Sequence, residues 1–464
     1  MMNLSDRTYL LPPPFKTKVV EPIKITTQTE RKAWLEKAGY NIFNIPAEEV
    51  FIDLLTDSGT SAMSDYQWAG LMLGDEAYAQ SRNFFHLEQV VKNLTGFRYV
   101  IPTHQGRSAE NLLCYALAMD HSKTAVSNQF FDTTRANVES FGGKTKDLVI
   151  PDAYVASKIV DFKGNMDISA LKKTIDDETN HVALIIATVT NNAGGGQPVS
   201  IENLAEISAL SKANNIPFFL DAARFAENVY FIKLREKGFQ NHSPLEIARK
   251  MFSYVDGCTM SAKKDGLVNI GGFVAMNDER IYRQITERMV IIEGFPTYGG
   301  LAGRDLEAMA RGLIEVLQED YLRYRHQQLQ YLHQGLDKAG VPVVKPVGGH
   351  SVNLDGRNFL PQIPQSQFPA WAITVELYER YGIRSVGLGS VMFARQTSDK
   401  VWHYPKLELV RLAIPRRVYS QEHLSYVIES VVDLYERRDE IPGMRITYDP
   451  GGLRHFMARF EPIE

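Results

Sequence analysis

Between residues 97 and 276 short apolar runs alternate with amphipathic stretches, and that rhythm limits the folds open to the chain. Residues 181–190 are apolar and rich in β-branched side chains, the pattern of a strand buried on both faces. Comparable runs lie at 97–102, 124–126, 148–150, 216–220, 255–260 and 268–276, and helices are predicted over 108–119 and 201–213. This order predicts an α/β domain with a mostly parallel sheet and helices on both faces. Such sheets bind ligands beyond the carboxyl ends of their strands.

Residues 305–338 read as a long helix. A smaller α+β segment follows, with strands at 341–344, 351–354 and 407–414 and helices near 369–381 and 421–437. We divide the chain into an arm and part of a small domain (1–56), a large domain (57–315) and the rest of the small domain (316–464). Pro12-Pro13-Pro14 blocks regular structure in the arm, which is either frayed or packed on a partner subunit. A capped helix is predicted over 29–38, with Gly39 just past its end.

Composition excludes some classes. With 44% hydrophobic residues, 464 residues build a core without staples. A net charge of −4 gives no general attraction to nucleic acid or anionic membrane. Cys114 and Cys258, the two cysteines, lie in apolar surroundings and read as buried free thiols, which suits a reducing compartment. Residues 1–7 lack a basic stretch followed by an apolar core, and no apolar run approaches the roughly 20 residues that span a bilayer. A cytoplasmic protein is expected.

Three features fall at predicted strand ends. Thr103-His104-Gln105-Gly106-Arg107 precedes a helix, where free amides hold a phosphate. Read alone, it is more simply a strand-to-helix turn that needs Gly106. Asp221 ends an apolar strand, where a carboxylate is costly unless paired. It suits a pyridinium partner or a helix cap. Lys263 and Lys264 follow another apolar strand; read alone they suit an ordinary charged turn, whereas a desolvated lysine attacks carbonyls. Together these supply the phosphate anchor, ring partner and amine that pyridoxal phosphate requires.

At these residues the chain resembles the β-eliminating lyases, a fold type I pyridoxal-phosphate family with tryptophan indole-lyase and tyrosine phenol-lyase branches. The resemblance runs over nearly the whole chain. It is carried by residues 51–60, 74–78, 102–107, 195–200, 261–265, 298–301 and 411–417. It implies that Lys264 forms the Schiff base and shuttles the α-proton, with Lys263 as an auxiliary lysine. Gln105, Gly106 and Ser261 would hold the phosphate, with Arg107 nearby, and Phe131 would stack on the ring. Asp221 would pair with the ring nitrogen; Asn192 and Arg224 would meet the phenolic-oxygen side. Arg411 would clamp the substrate carboxylate, near Thr56 and Ser58. Tyr78 would protonate the departing aromatic carbon, and Tyr298 would reach the phosphate of a neighbouring subunit. A homotetramer with shared sites is implied. So is a potassium ion near Glu76, with backbone oxygens at Gly59 and Asn269.

Three positions address the aromatic ring. Asp132 and His455 resemble the tryptophan branch, and Leu388 replaces an arginine of the tyrosine branch. Expected chemistry is therefore β-elimination of tryptophan to indole, pyruvate and ammonia; tyrosine, serine or S-substituted cysteine is the alternative. Gly387, the short segment around 117–124 and Arg135 depart from the tryptophan pattern.

Overall fold

The computed structural model describes residues 12–396, 401–451 and 453–463. Residues 1–7, on which the expected lack of a leader rests, lie outside them.

Seven strands form the central sheet: β1 (Tyr99–Thr103), β2 (Thr124–Ser127), β3 (Lys144–Asp147), β4 (Val182–Thr188), β5 (Phe218–Asp221), β6 (Gly257–Ser261) and β7 (Gly272–Met276). Their order is β1-β7-β6-β5-β4-β2-β3. Only β7 runs against its neighbours; the other pairs are parallel. Period-two alternation sends each strand into two cores. Along β4, Leu184 and Ile186 enter one cluster and Ile185 and Ala187 the other. On the first face lies helix α1 (Gly106–Ala116), packed through Ala109, Leu112 and Leu113. Helices α2 (Ile201–Ala213), α3 (Phe225–Arg235) and α4 (Gly303–Glu315) cover the second face.

A second core gathers around an antiparallel sheet of β8 (Ser351–Asp355), β9 (Val386–Leu388) and β10 (Leu409–Ala413), with β10 in the middle. Leu35, Ile42, Val50 and Leu54 join this core. Leu35 belongs to the helix Gln28–Ala38, which starts with a capping box between Thr27 and Glu30 and ends at Gly39 with φ 64°. Residues 12–26 form no helix or strand, and Val19, Val20 and Ile25 there are exposed.

Three expectations shift. The strand placed at 148–150 is β3, four residues earlier. β3 has a single neighbour, and its Lys-Thr-Lys-Asp sequence is what an unpaired sheet edge tolerates. The helix over 305–338 breaks between Glu315 and Glu319. Leu306 and Leu313 enter the large core, whereas Leu329, Leu332 and Leu336 enter the second. Glu319 and Asp320 then open a new helix at its positive end. Residues 341–344 form no strand, only a bridge between Val343 and Leu354. Among the described residues, no helix is long and apolar enough to cross a membrane.

Candidate active site

The carboxyl ends of β4, β5 and β6 meet in register, with Asp221 opposite Thr188 and Thr259. Burial pushes the Asp221 carboxyl up, while Lys264 and Arg224 draw it down. Asp221 accepts a hydrogen bond from the Ala223 amide at 3.2 Å, but the residue capping α3 is Arg224. Asp221 is thus a buried strand-end carboxylate rather than a helix cap.

Both lysines occupy the turn from β6 to β7. Lys264 is buried, its Nζ 2.9 Å from Ser261 Oγ and 5.8 Å from the Phe131 ring centre. Burial, then Arg224, pushes its amine down to about 8. Lys263 is less buried and donates to Gln105 Oε1 at 3.2 Å. Geometry thus separates two lysines that pattern alone could not rank. Beside them Gly106 opens α1. A Cβ there would stand 2.5 Å from Ser261 Cβ, so only glycine brings the free amides of the helix start against the end of β6. Arg107 lines the same pocket.

Beneath lies a buried ionic floor. Asp57 receives Arg224 Nε at 2.9 Å and Nη2 at 2.7 Å, and Arg416 Nη1 at 2.8 Å. Arg416 Nη2 also reaches Glu227 at 3.0 Å and Asp265 at 2.8 Å. Burial alone would raise the Asp57 carboxyl, yet Arg224, His350 and Arg416 hold it well below its ordinary value. Arg224 therefore has two nitrogens committed to Asp57. Asn192 Oδ1 accepts from Arg411 Nη1 and His350 Nε2, both at 2.8 Å, so it orients Arg411. Arg411 Nη2 donates to the Leu55 carbonyl at 2.7 Å, while its Nε is buried without a partner.

Sequence reading assigned no role to Asp57, Arg416, His350 or Glu110. Glu110 lines the pocket from α1, accepting from Thr133 Oγ1 at 2.9 Å and Asn137 Nδ2 at 3.2 Å. Burial first, then Asp221, pushes it up to about 7. Its one sequence signal is a carboxyl on the face that also carries Leu113.

The opposite wall is looser. Asp132 Oδ1 accepts from the Thr133 amide at 2.7 Å, and its Oδ2 lies 3.5 Å from His455 Nε2. His455 Nδ1 is buried without a partner. Leu388 shares this wall, as do Phe43 and Phe456, whose rings pack against His455 at 5.9 and 3.9 Å. Thr56, Ser58, Asn192, Arg224 and Arg411 also line the pocket.

Five predicted residues are not among those lining it. Tyr78 is 72% exposed and packs on Tyr298 at 5.2 Å. Asn269 Nδ2 donates to the Gly59 carbonyl at 2.9 Å. Glu76 pairs with Arg304 at 3.0 Å. Among the described residues, no cluster of three or more His, Cys, Asp or Glu side chains forms a metal site.

Comparison with known proteins fits this geometry. The family profile described as beta-eliminating lyase matches residues 53–430. A tyrosine phenol-lyase of Pasteurella multocida is 51% identical over 97% of this chain and 98% of its own. A tryptophanase of Salinibacter ruber is 52% identical over 97% and 95%. Among solved structures, Sphingomonas wittichii serine palmitoyltransferase aligns with a TM-score of 0.61 at 14% identity, covering 89% of this chain and 97% of that one. Leishmania major threonine aldolase gives 0.56 at 13%, covering 82% and 99%. These structural likenesses show the fold, that of the fold type I pyridoxal-phosphate enzymes.

Proposed function

The chain belongs to the β-eliminating lyase family, and on that premise we propose that it splits tryptophan into indole, pyruvate and ammonia with pyridoxal phosphate. Asp132 facing His455, with Leu388 on the same wall, carries the choice of substrate.

The residues present fit the cofactor. Lys264 offers a buried amine of lowered basicity, Gly106 leaves a cradle that a Cβ would fill, and Asp221 waits without a cationic hydrogen-bond partner. When bound, pyridoxal phosphate supplies an electron sink for the α-carbon. Arg411 binds the substrate carboxylate through its unpartnered Nε side, oriented by Asn192 and Leu55. Lys264 Nζ takes the α-proton, and Asp221 keeps a proton on the ring nitrogen. Asp132 accepts the indole N–H, whose acidity rises as the neighbouring ring carbon is protonated. Tyr78 supplies that proton from a second copy of the chain in a homotetramer, which its exposure in the single chain supports. A potassium ion near Gly59, Glu76 and Asn269 requires Glu76 to leave Arg304. Equal activity in potassium and in a bulky ammonium salt would remove that ion from the account.

The deciding experiment incubates the protein with tryptophan, tyrosine and an S-alkyl cysteine and measures pyruvate and the aromatic product. Indole from tryptophan well above phenol from tyrosine is the expected result. The second reading, phenol release from tyrosine, draws support from relatives named tyrosine phenol-lyase that are as similar as those named tryptophanase. Phenol as the main product would establish it.

A further inference from the structure

Behind the phosphate end runs a chain of side chains that the activity above leaves unused. Glu293 follows the last residue of the helix Glu279–Ile292. A carboxylate there faces the helix's negative end and is destabilised unless it is bonded. Its side chain is almost wholly buried, and three donors converge on it. The His104 amide reaches Oε2 at 3.0 Å, His104 Nδ1 approaches at 2.6 Å, and Ser108 Oγ donates to Oε1.

That arrangement fixes the imidazole. With the ring proton on Nδ1, donated to the carboxylate, Nε2 is left as an acceptor. The Gln105 side-chain nitrogen lies 2.9 Å from this Nε2 and must be the donor. Its amide oxygen is thereby turned the other way, where it accepts from Lys263 Nζ at 3.2 Å. Direction is therefore uniform from the Lys263 ammonium through an amide and an imidazole to a buried carboxylate. Reversing the amide would set its NH₂ against the ammonium and its oxygen against the Nε2 lone pair.

We propose that His104 and Glu293 are positioning residues for the phosphate cradle: they fix the orientation of the Gln105 amide, and through it aim the Lys263 ammonium at the cofactor phosphate. This rests on the reading that pyridoxal phosphate fills the pocket. His104 and Glu293 are absent from the pocket lining, whereas Gln105 and Lys263 both line it. An effect of the outer pair on the phosphate must pass through the inner pair.

The test is a double-mutant cycle on the dissociation constant of pyridoxal phosphate, measured by equilibrium dialysis with the apoprotein. His104→Phe, Glu293→Gln, Gln105→Ala and Lys263→Met are each expected to weaken binding roughly tenfold, the size of one good polar contact. The His104→Phe/Gln105→Ala double variant is expected to bind no more weakly than Gln105→Ala alone, because members of one relay do not lose independently. Phosphorus NMR of the bound cofactor should show the same resonance shift in His104→Phe and Lys263→Met. Multiplying losses, or wild-type affinity in both His104→Phe and Glu293→Gln, overturns the relay. If His104→Phe does not fold, Glu293→Gln with Lys263→Met completes the cycle. Failure of the wild-type protein to bind pyridoxal phosphate would instead overturn the parent reading.

Discussion

The two sides of the pocket are built differently. On the floor, Asp57, Arg224, Arg416, Glu227 and Asp265 are buried, and each charge meets an opposite one. On the opposite wall, Asp132 and His455 are separated by 3.5 Å, His455 Nδ1 has no partner, and the remaining surface is aromatic and aliphatic. Glu227 Oε2 and Arg416 Nε lack hydrogen-bond partners, but every floor charge meets an opposite one, so removing one partner strands a buried charge. A loosely bonded wall accepts new side chains at small cost. Relatives about equally similar to this chain carry two different names. On the proposed function, Lys264 and Asp221, set above this floor, carry the elimination, and the wall carries the choice of ring.

The strongest challenge to this division is Lys264→Ala. Losing a positioned proton-transfer group should cut turnover of every substrate by about a hundred- to ten-thousandfold and abolish the visible absorbance of bound cofactor. If Lys263→Ala did so and Lys264→Ala did not, the two lysines would have to exchange roles. Next comes Asp57→Ala, which leaves Arg224 and Arg416 short of a carboxylate. Breaking a buried pair of this kind costs about 3–5 kcal/mol. Chemical denaturation should show that loss, and a cost near that of Asp132→Ala would erase the contrast.

Asp132→Ala sharpens the wall. A charge-assisted bond is worth about 1.5–3 kcal/mol, or roughly ten- to a hundredfold in rate. Elimination from tryptophan should fall by that factor while S-alkyl cysteine, whose thiolate leaves unaided, is spared. Equal losses on both would reduce Asp132 to a turn-forming residue.

The gentlest effect is that of pH. Burial lowers the Lys264 amine to about 8, so below that value the apoprotein holds it as an unreactive ammonium. Cofactor capture should speed up as pH rises through about 8 and then level off. Between about 8 and the ordinary lysine range the folded chain binds fewer protons than the unfolded one, so this group's contribution to stability also rises with pH. A capture rate that fell over the same interval would contradict the assignment.

Legibility in sequence followed the chain's local grammar. Asp221, Gly106 and the Lys263-Lys264 pair each end or follow an apolar run, so pattern placed them together without ranking the two lysines. Asp57, Glu227, Asp265 and Arg416 carry no shared local signal; tertiary closure unites them. The roles expected for Tyr78 and Tyr298 come from family resemblance alone; in one chain both stand outside the pocket lining. β3 was missed because a charged edge strand lacks the apolar signature of a buried one.

The reversed strand β7 has a consequence for how the site is assembled. Because β7 pairs directly with β6, Ser261 opposite Gly272, Lys264 sits in a short hairpin-like connection. Closing a short loop costs less chain entropy than closing a long one, so the nucleophile is placed by local contacts. Arg411 comes from a strand far along the chain. On the proposed roles, the amine and the phosphate cradle emerge during synthesis and can be ordered before Arg411, the proposed substrate clamp, has been made. The order of translation thus puts readiness for the cofactor ahead of competence for the substrate.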